Sequence, residues 1–160
     1  MYIWYQWLVF THVAAVFAFL MAHGVTALVV FRVRAERDLE TLRTLLGLSA
    51  LGSMVSMAAL GVLMISGVAA AFAGNQWIFG WPWASVATLV VISLMMYLET
   101  GPAMRRLRAA AGFTNAMEIG SEANPKELAA AQEAVRPWVS TTIGGVGLLI
   151  LLWLMVFQPF

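Results

Sequence analysis

Two histidines are the residues of this chain whose type and spacing could do chemistry. His12 and His23 stand eleven residues apart in one long apolar run. At about 100° per residue that is three turns plus ~20°, so both imidazoles fall on one helix face, about 16 Å apart along the axis. Ionisable groups inside apolar spans are functional candidates by default. Apart from this pair only Glu99, near the end of a later apolar run, qualifies, and its neighbour Arg105 makes it an interfacial ion pair rather than a proton relay. Neutral imidazole is a good iron ligand, and two imidazoles stacked at two depths are what two haem groups on one helix would require. Phe19 lies between them on the same stripe, and Gly24 removes a side chain beside His23.

A porphyrin also needs an apolar slot lined by small residues. Ser49, Gly52, Ser53, Ser56 and Ala59 form such a stripe at helical spacing in the second apolar run, although close helix packing uses the same small-xxx-small pattern. No third histidine exists to complete an axial pair. Ligation by two histidines at one iron therefore needs a second copy of the chain, a homodimer with haem near its axis. Methionine is the other axial option. By depth, Met54 and Met57 (with Met95 and Met96) lie near His23, and Met64 lies near His12. The candidate ligand set is thus His12 and His23, with Phe19, Gly24, Met54, Met57 and Met64 around them. The competing reading of the pair is structural, each imidazole hydrogen-bonding a neighbouring helix for about 1 kcal/mol.

The elements that must carry these residues follow from composition. Of 160 residues 62% are hydrophobic and 11% charged, against about a quarter charged in soluble proteins. Four apolar stretches are each long enough to cross a bilayer as a helix. They cover about residues 3–31, 42–72, 83–100 and 137–157. The expected fold is all-α, a single domain built as a four-transmembrane-helix bundle. All nine basic residues fall in connections 32–41 and 101–136 or at the adjoining span ends, whereas connection 73–82 carries no charge. The positive-inside rule then predicts both termini outside (N-out/C-out) and both charged connections in the cytoplasm, partly as helical extensions of the spans. Six of the seven tryptophans lie near the outer ends, where such rings sit at headgroup level. Asn124-Pro125 supplies an N-cap and first-turn pair for a short helix, and Pro137 opens the fourth span in the same way. The first residues lack a basic region and a cleavage site, so span 1 is expected to be retained as an anchor in a bacterial inner membrane.

Several function classes fall away. A net charge of +1 leaves no basic excess for nucleic acid. The absence of cysteine removes disulfides, thiolate ligands and iron–sulfur clusters. The spans hold no charged catalytic cluster, so an electron carrier or a subunit is expected before a stand-alone enzyme. The partners expected are the bilayer and either a second copy or a larger membrane complex. A cofactor-free accessory or scaffold subunit is the alternative function.

The chain resembles small four-helix bacterial membrane proteins of the loose CopD and HemJ-like grouping. The resemblance rests on Thr11-His12, on the Ala22-His23-Gly24 step and on the Phe31-Arg-Val-Arg exit from the first span. It also rests on Gly101-Pro102-Ala-Met-Arg-Arg-Leu-Arg after the third span, and on the ending Leu152-Trp-Leu-Met-Val-Phe-Gln-Pro-Phe160. In that grouping the CopD-like members imply copper handling, and the HemJ-like members imply haem binding and protoporphyrinogen oxidation. Carried over by residue, only His12 matches the first-span histidine. The Trp-x-Ala-Gly step of HemJ-like first spans is absent, and the only lysine, Lys126, lies in a connection. The uncharged connection also holds no His or Met for copper. Haem b with electron transfer is therefore the leading expectation.

Overall fold

The computed structural model describes residues 2–160. Its elements run α1 (Tyr2–Ala35), α2 (Leu39–Ala73), a single 3-10 turn (Gln76–Ile78), α3 (Gly80–Ala110), α4 (Pro125–Ala134) and α5 (Pro137–Phe157). Helices α1, α2, α3 and α5 are long and apolar enough to cross a membrane. Helix is what such segments must be, because lipid offers nothing to bond exposed backbone groups. The 34 residues of α1 make a rod of about 51 Å at 1.5 Å per residue, well beyond the ~30 Å of hydrocarbon. The excess of α1, α2 and α3 lies at the arginine-bearing end, so the charged connections are largely helical. Pro102 sits inside α3 without ending it, which carries that helix ten residues past the expected end of the third span.

Local chemistry sets the boundaries. Asp38 caps α2, its carboxylate accepting from the Thr41 N–H at 2.8 Å. Asn124 caps α4 through the N–H groups of Lys126 and Glu127, with Pro125 in the first turn. The N-terminus of α3 is capped differently: the Phe160 carbonyl accepts from the N–H groups of Gly80 (3.1 Å) and Trp81 (3.0 Å). A Cβ at Gly80 would stand 2.7 Å from the Phe160 ring, so glycine permits that approach.

The four long helices form two pairs, α1 with α2 and α3 with α5, and α4 lies against α3 and α1. The small stripe of α2 serves the first pair. Ser49, Gly52 and Ala59 are buried, and a Cβ on Gly52 would meet Thr26 Oγ1 at 2.8 Å and the Ala22 carbonyl at 3.2 Å. At Gly52 the stripe is filled by α1, and Ser49 is met by Arg108 of α3, so neither position is left as a slot. In the second pair Gly147 lets Ile92 reach the α5 backbone, and Thr100 and Ser140 share a 2.8 Å hydrogen bond.

The pairs join at the charged end. There Val29, Val30, Val33, Leu42, Leu46, Met104, Leu107, Ala110, Ala111, Ala131 and Val135 form one core. Side chains also satisfy the helix ends around it. The buried Gln132 of α4 donates from Nε2 to the Val33 and Glu36 carbonyls of α1, both at 2.8 Å. Arg43 Nε donates to the Ala111 carbonyl at 3.0 Å, just past α3, and Arg108 Nη2 donates to Ser49 Oγ at 3.0 Å. Last-turn carbonyls have no partner within their own helix, so the Gln132 and Arg43 contacts satisfy helix ends, while Arg43 and Arg108 tie α2 to α3 across the pairs.

Candidate functional site

At the uncharged end a partly open cavity of about 800 Å³ lies between the two pairs, lined by all four long helices and the 3-10 turn. That lies within the range of small-molecule and cofactor sites. Its walls are almost wholly apolar, and none of the residues lining it carries a formal charge. The polar groups are Tyr5, His12, Gln76, Trp77, Trp81, Ser85 and Gln158. Ser85 bonds its own helix through the Trp81 carbonyl at 2.9 Å, so its hydroxyl is already engaged. Trp77 Nε1 is buried with no hydrogen-bond partner among the described residues.

His12 is the only titratable imidazole on the wall. Its Nδ1 lies 2.9 Å from the Leu63 carbonyl of α2. A carbonyl can only accept, so Nδ1–H is the donor, and in the neutral ring the lone pair is on Nε2. Gly67 makes the geometry possible: a Cβ there would stand 2.8 Å from Cε1 and 2.9 Å from Nδ1 of the ring, but 3.8 Å from Nε2. The protonated edge is seated on α2, and Nε2 is the ring nitrogen farther from it. Nε2 has no hydrogen-bond partner among the described residues. An imidazole held through Nδ1–H by a backbone carbonyl is the usual arrangement of a metal-ligating histidine. It is equally an acceptor for a ligand hydroxyl.

His23 stands elsewhere. It stacks on Phe19, ring centroids 5.4 Å apart and planes 10° from parallel, and its Nε2 faces Gly144 of α5, where a Cβ would come within 3.1 Å. It does not line the cavity. Phe19 does, so the Phe19–His23 stack lies toward the charged end, with the phenyl ring facing the ligand space and the imidazole behind it.

The other expected site residues divide as well. Met64 lines the cavity with His12. Met54 and Met57 are exposed, 58% and 70%, on the lipid side of α2. A Cβ on Gly24 would meet nothing within 4 Å, so that glycine makes no close approach. The structure thus brings together His12, Phe19 and Met64 and leaves His23, Gly24, Met54 and Met57 outside. Residues that sequence reasoning missed include Gly67 and the Leu63 carbonyl. Trp77, Trp81 and Gln76 were legible only as an interfacial band. Among the described residues no three His, Asp or Glu side chains converge on a metal position, so a metal at this site would come with its own macrocycle or with other ligands. No known protein family, characterised protein or solved structure matches the chain.

Proposed function

We propose that this chain is an integral membrane protein that binds haem b in the inter-pair cavity and passes electrons within or across the bilayer. One observation carries the reading: an imidazole fixed through Nδ1–H to the Leu63 carbonyl, with its Nε2 lone pair unused, on the wall of a large apolar cavity. His12 would ligate the haem iron. Met64, or a residue of a second copy of the chain, would be a second ligand. Phe19 would pack on the macrocycle, and Tyr5, Gln76, Trp77 and Gln158 are the neutral hydrogen-bonding groups available to its polar edge. When bound, the cofactor supplies the one-electron chemistry. The chain would hold it, through His12, in the apolar space between the helix pairs. The confinement of the basic residues to one end supports an orientation with that end in the cytoplasm of a bacterial inner membrane and both termini outside.

The test is a reduced-minus-oxidised absorption spectrum of protein purified from haem-replete cells. The wild type is expected to show a b-type difference spectrum, and His12→Ala to lose it. A colourless wild type with fixed co-purifying partners would instead establish the accessory-subunit alternative.

A further inference from the structure

The cavity is walled unevenly. On the α2 and α3 side its lining is the less exposed: Ala71, Pro82 and Ser85 are buried, and Met64, Val68, Val86 and Leu89 are partly buried. On the α1 and α5 side the lining residues are also surface residues. Val13, Leu149 and Leu152 line the cavity, yet Leu149 and Leu152 are 67% and 60% exposed. Helices α1 and α5 touch at His23–Gly144 and at the edge-to-face pair Phe31–Trp138, both toward the charged end. One residue beyond Gly144, a Cβ on Gly145 would meet nothing within 4 Å although Gly145 lines the cavity. Gly145 itself is exposed.

We infer that the cavity opens sideways into the hydrocarbon through a cleft between the outward halves of α1 and α5, and that a hydrocarbon chain of a membrane lipid occupies it when no cofactor is bound. Two properties select this occupant over water. The lining carries no charge and is mostly apolar, and two of its polar side chains, His12 and Ser85, already bond backbone carbonyls, so it favours hydrocarbon over water. The opening also lies at a depth where the surrounding medium is acyl chain. Any resident cofactor or ligand then exchanges through the membrane, as a molecule dissolved in lipid. This inference shares the cavity with the haem reading but does not depend on haem, and its test uses none.

The chain has no native cysteine, so single nitroxide labels can be placed cleanly. Met64→Cys and, as a second site, Val68→Cys report from the wall, and Ile65→Cys, at a residue 74% exposed, is the lipid-facing reference. In liposomes, collision rates with oxygen, which concentrates in lipid, and with a water-soluble nickel chelate are compared. Labels 64 and 68 are expected to match the reference, with high oxygen and low nickel accessibility, and to lose the oxygen accessibility when Gly145→Phe plugs the cleft. Preferential collision with nickel, collision with neither, or oxygen access unchanged by Gly145→Phe would each overturn the inference.

Discussion

The two ends of this bundle are built on opposite plans. At the charged end Val33, Leu46 and Leu107 are fully buried, and side chains of α2 and α4 bond the carbonyls at the ends of α3 and α1. At the other end the same four helices stand apart around about 800 Å³ of space. There the Phe160 carbonyl on the first turn of α3 ties the end of α5 to α3 within one pair. The difference separates two tasks. The charged end carries the fold, and this leaves the uncharged end free to keep a cavity that a uniformly packed bundle would close. Substitutions should therefore act on stability at one end and on ligand binding at the other.

The largest effect is expected from Leu107→Ala, which removes a fully buried side chain from the shared core. It should cost about 2–5 kcal/mol in reversible unfolding in bicelles, whereas Met64→Ala on the cavity wall should leave that stability nearly unchanged. Equal losses would erase the distinction between the ends. Next comes Gln132→Leu, which strands the Val33 and Glu36 carbonyls. Leaving such groups unsatisfied costs about 1–3 kcal/mol, read by the same unfolding measurement and by faster amide exchange at the end of α1.

A smaller stability effect but a sharper functional one is expected from Gly67→Ala. The added methyl would displace the His12 ring and its bond to Leu63, for ~1 kcal/mol of stability and a weakened or lost haem spectrum. Gly24→Ala, whose Cβ meets open space, is the matched control and should change neither. The smallest effect concerns pH. Hydrogen bonds from Thr41 hold the Asp38 carboxyl below its usual range. A depressed carboxylate contributes stability above its unfolded pKa, and that contribution is lost as pH falls through the folded value. Acid should thus loosen the start of α2, and Asp38→Ala should abolish that part of the pH dependence, as followed by amide exchange at Thr41.

Much of the fold was legible because it rests on local patterns: four apolar runs, charge confined to one end, and Asn124-Pro125 starting α4. The candidate site was legible only in part, for a geometric reason. Helical periodicity fixes the direction in which a residue points, not what stands there. His12 and His23 share a stripe of α1, yet one meets Gly67 of α2 and the other Gly144 of α5. Met57 and Met64 lie two turns apart on one stripe of α2, yet Met57 faces lipid and Met64 faces the cavity. Neighbours change with height as the helices cross, and only the tertiary arrangement records that. The seat of His12 needed the α1–α2 register, which no single run of residues contains.

The proposed haem site uses His12 and not His23. Haem titration of purified, cofactor-free His12→Ala and His23→Ala, side by side and followed by absorption, separates the two. His23→Ala is expected to take up haem like the wild type, and His12→Ala to show no saturable binding. Saturable binding by His12→Ala, or its loss only in His23→Ala, would contradict this assignment.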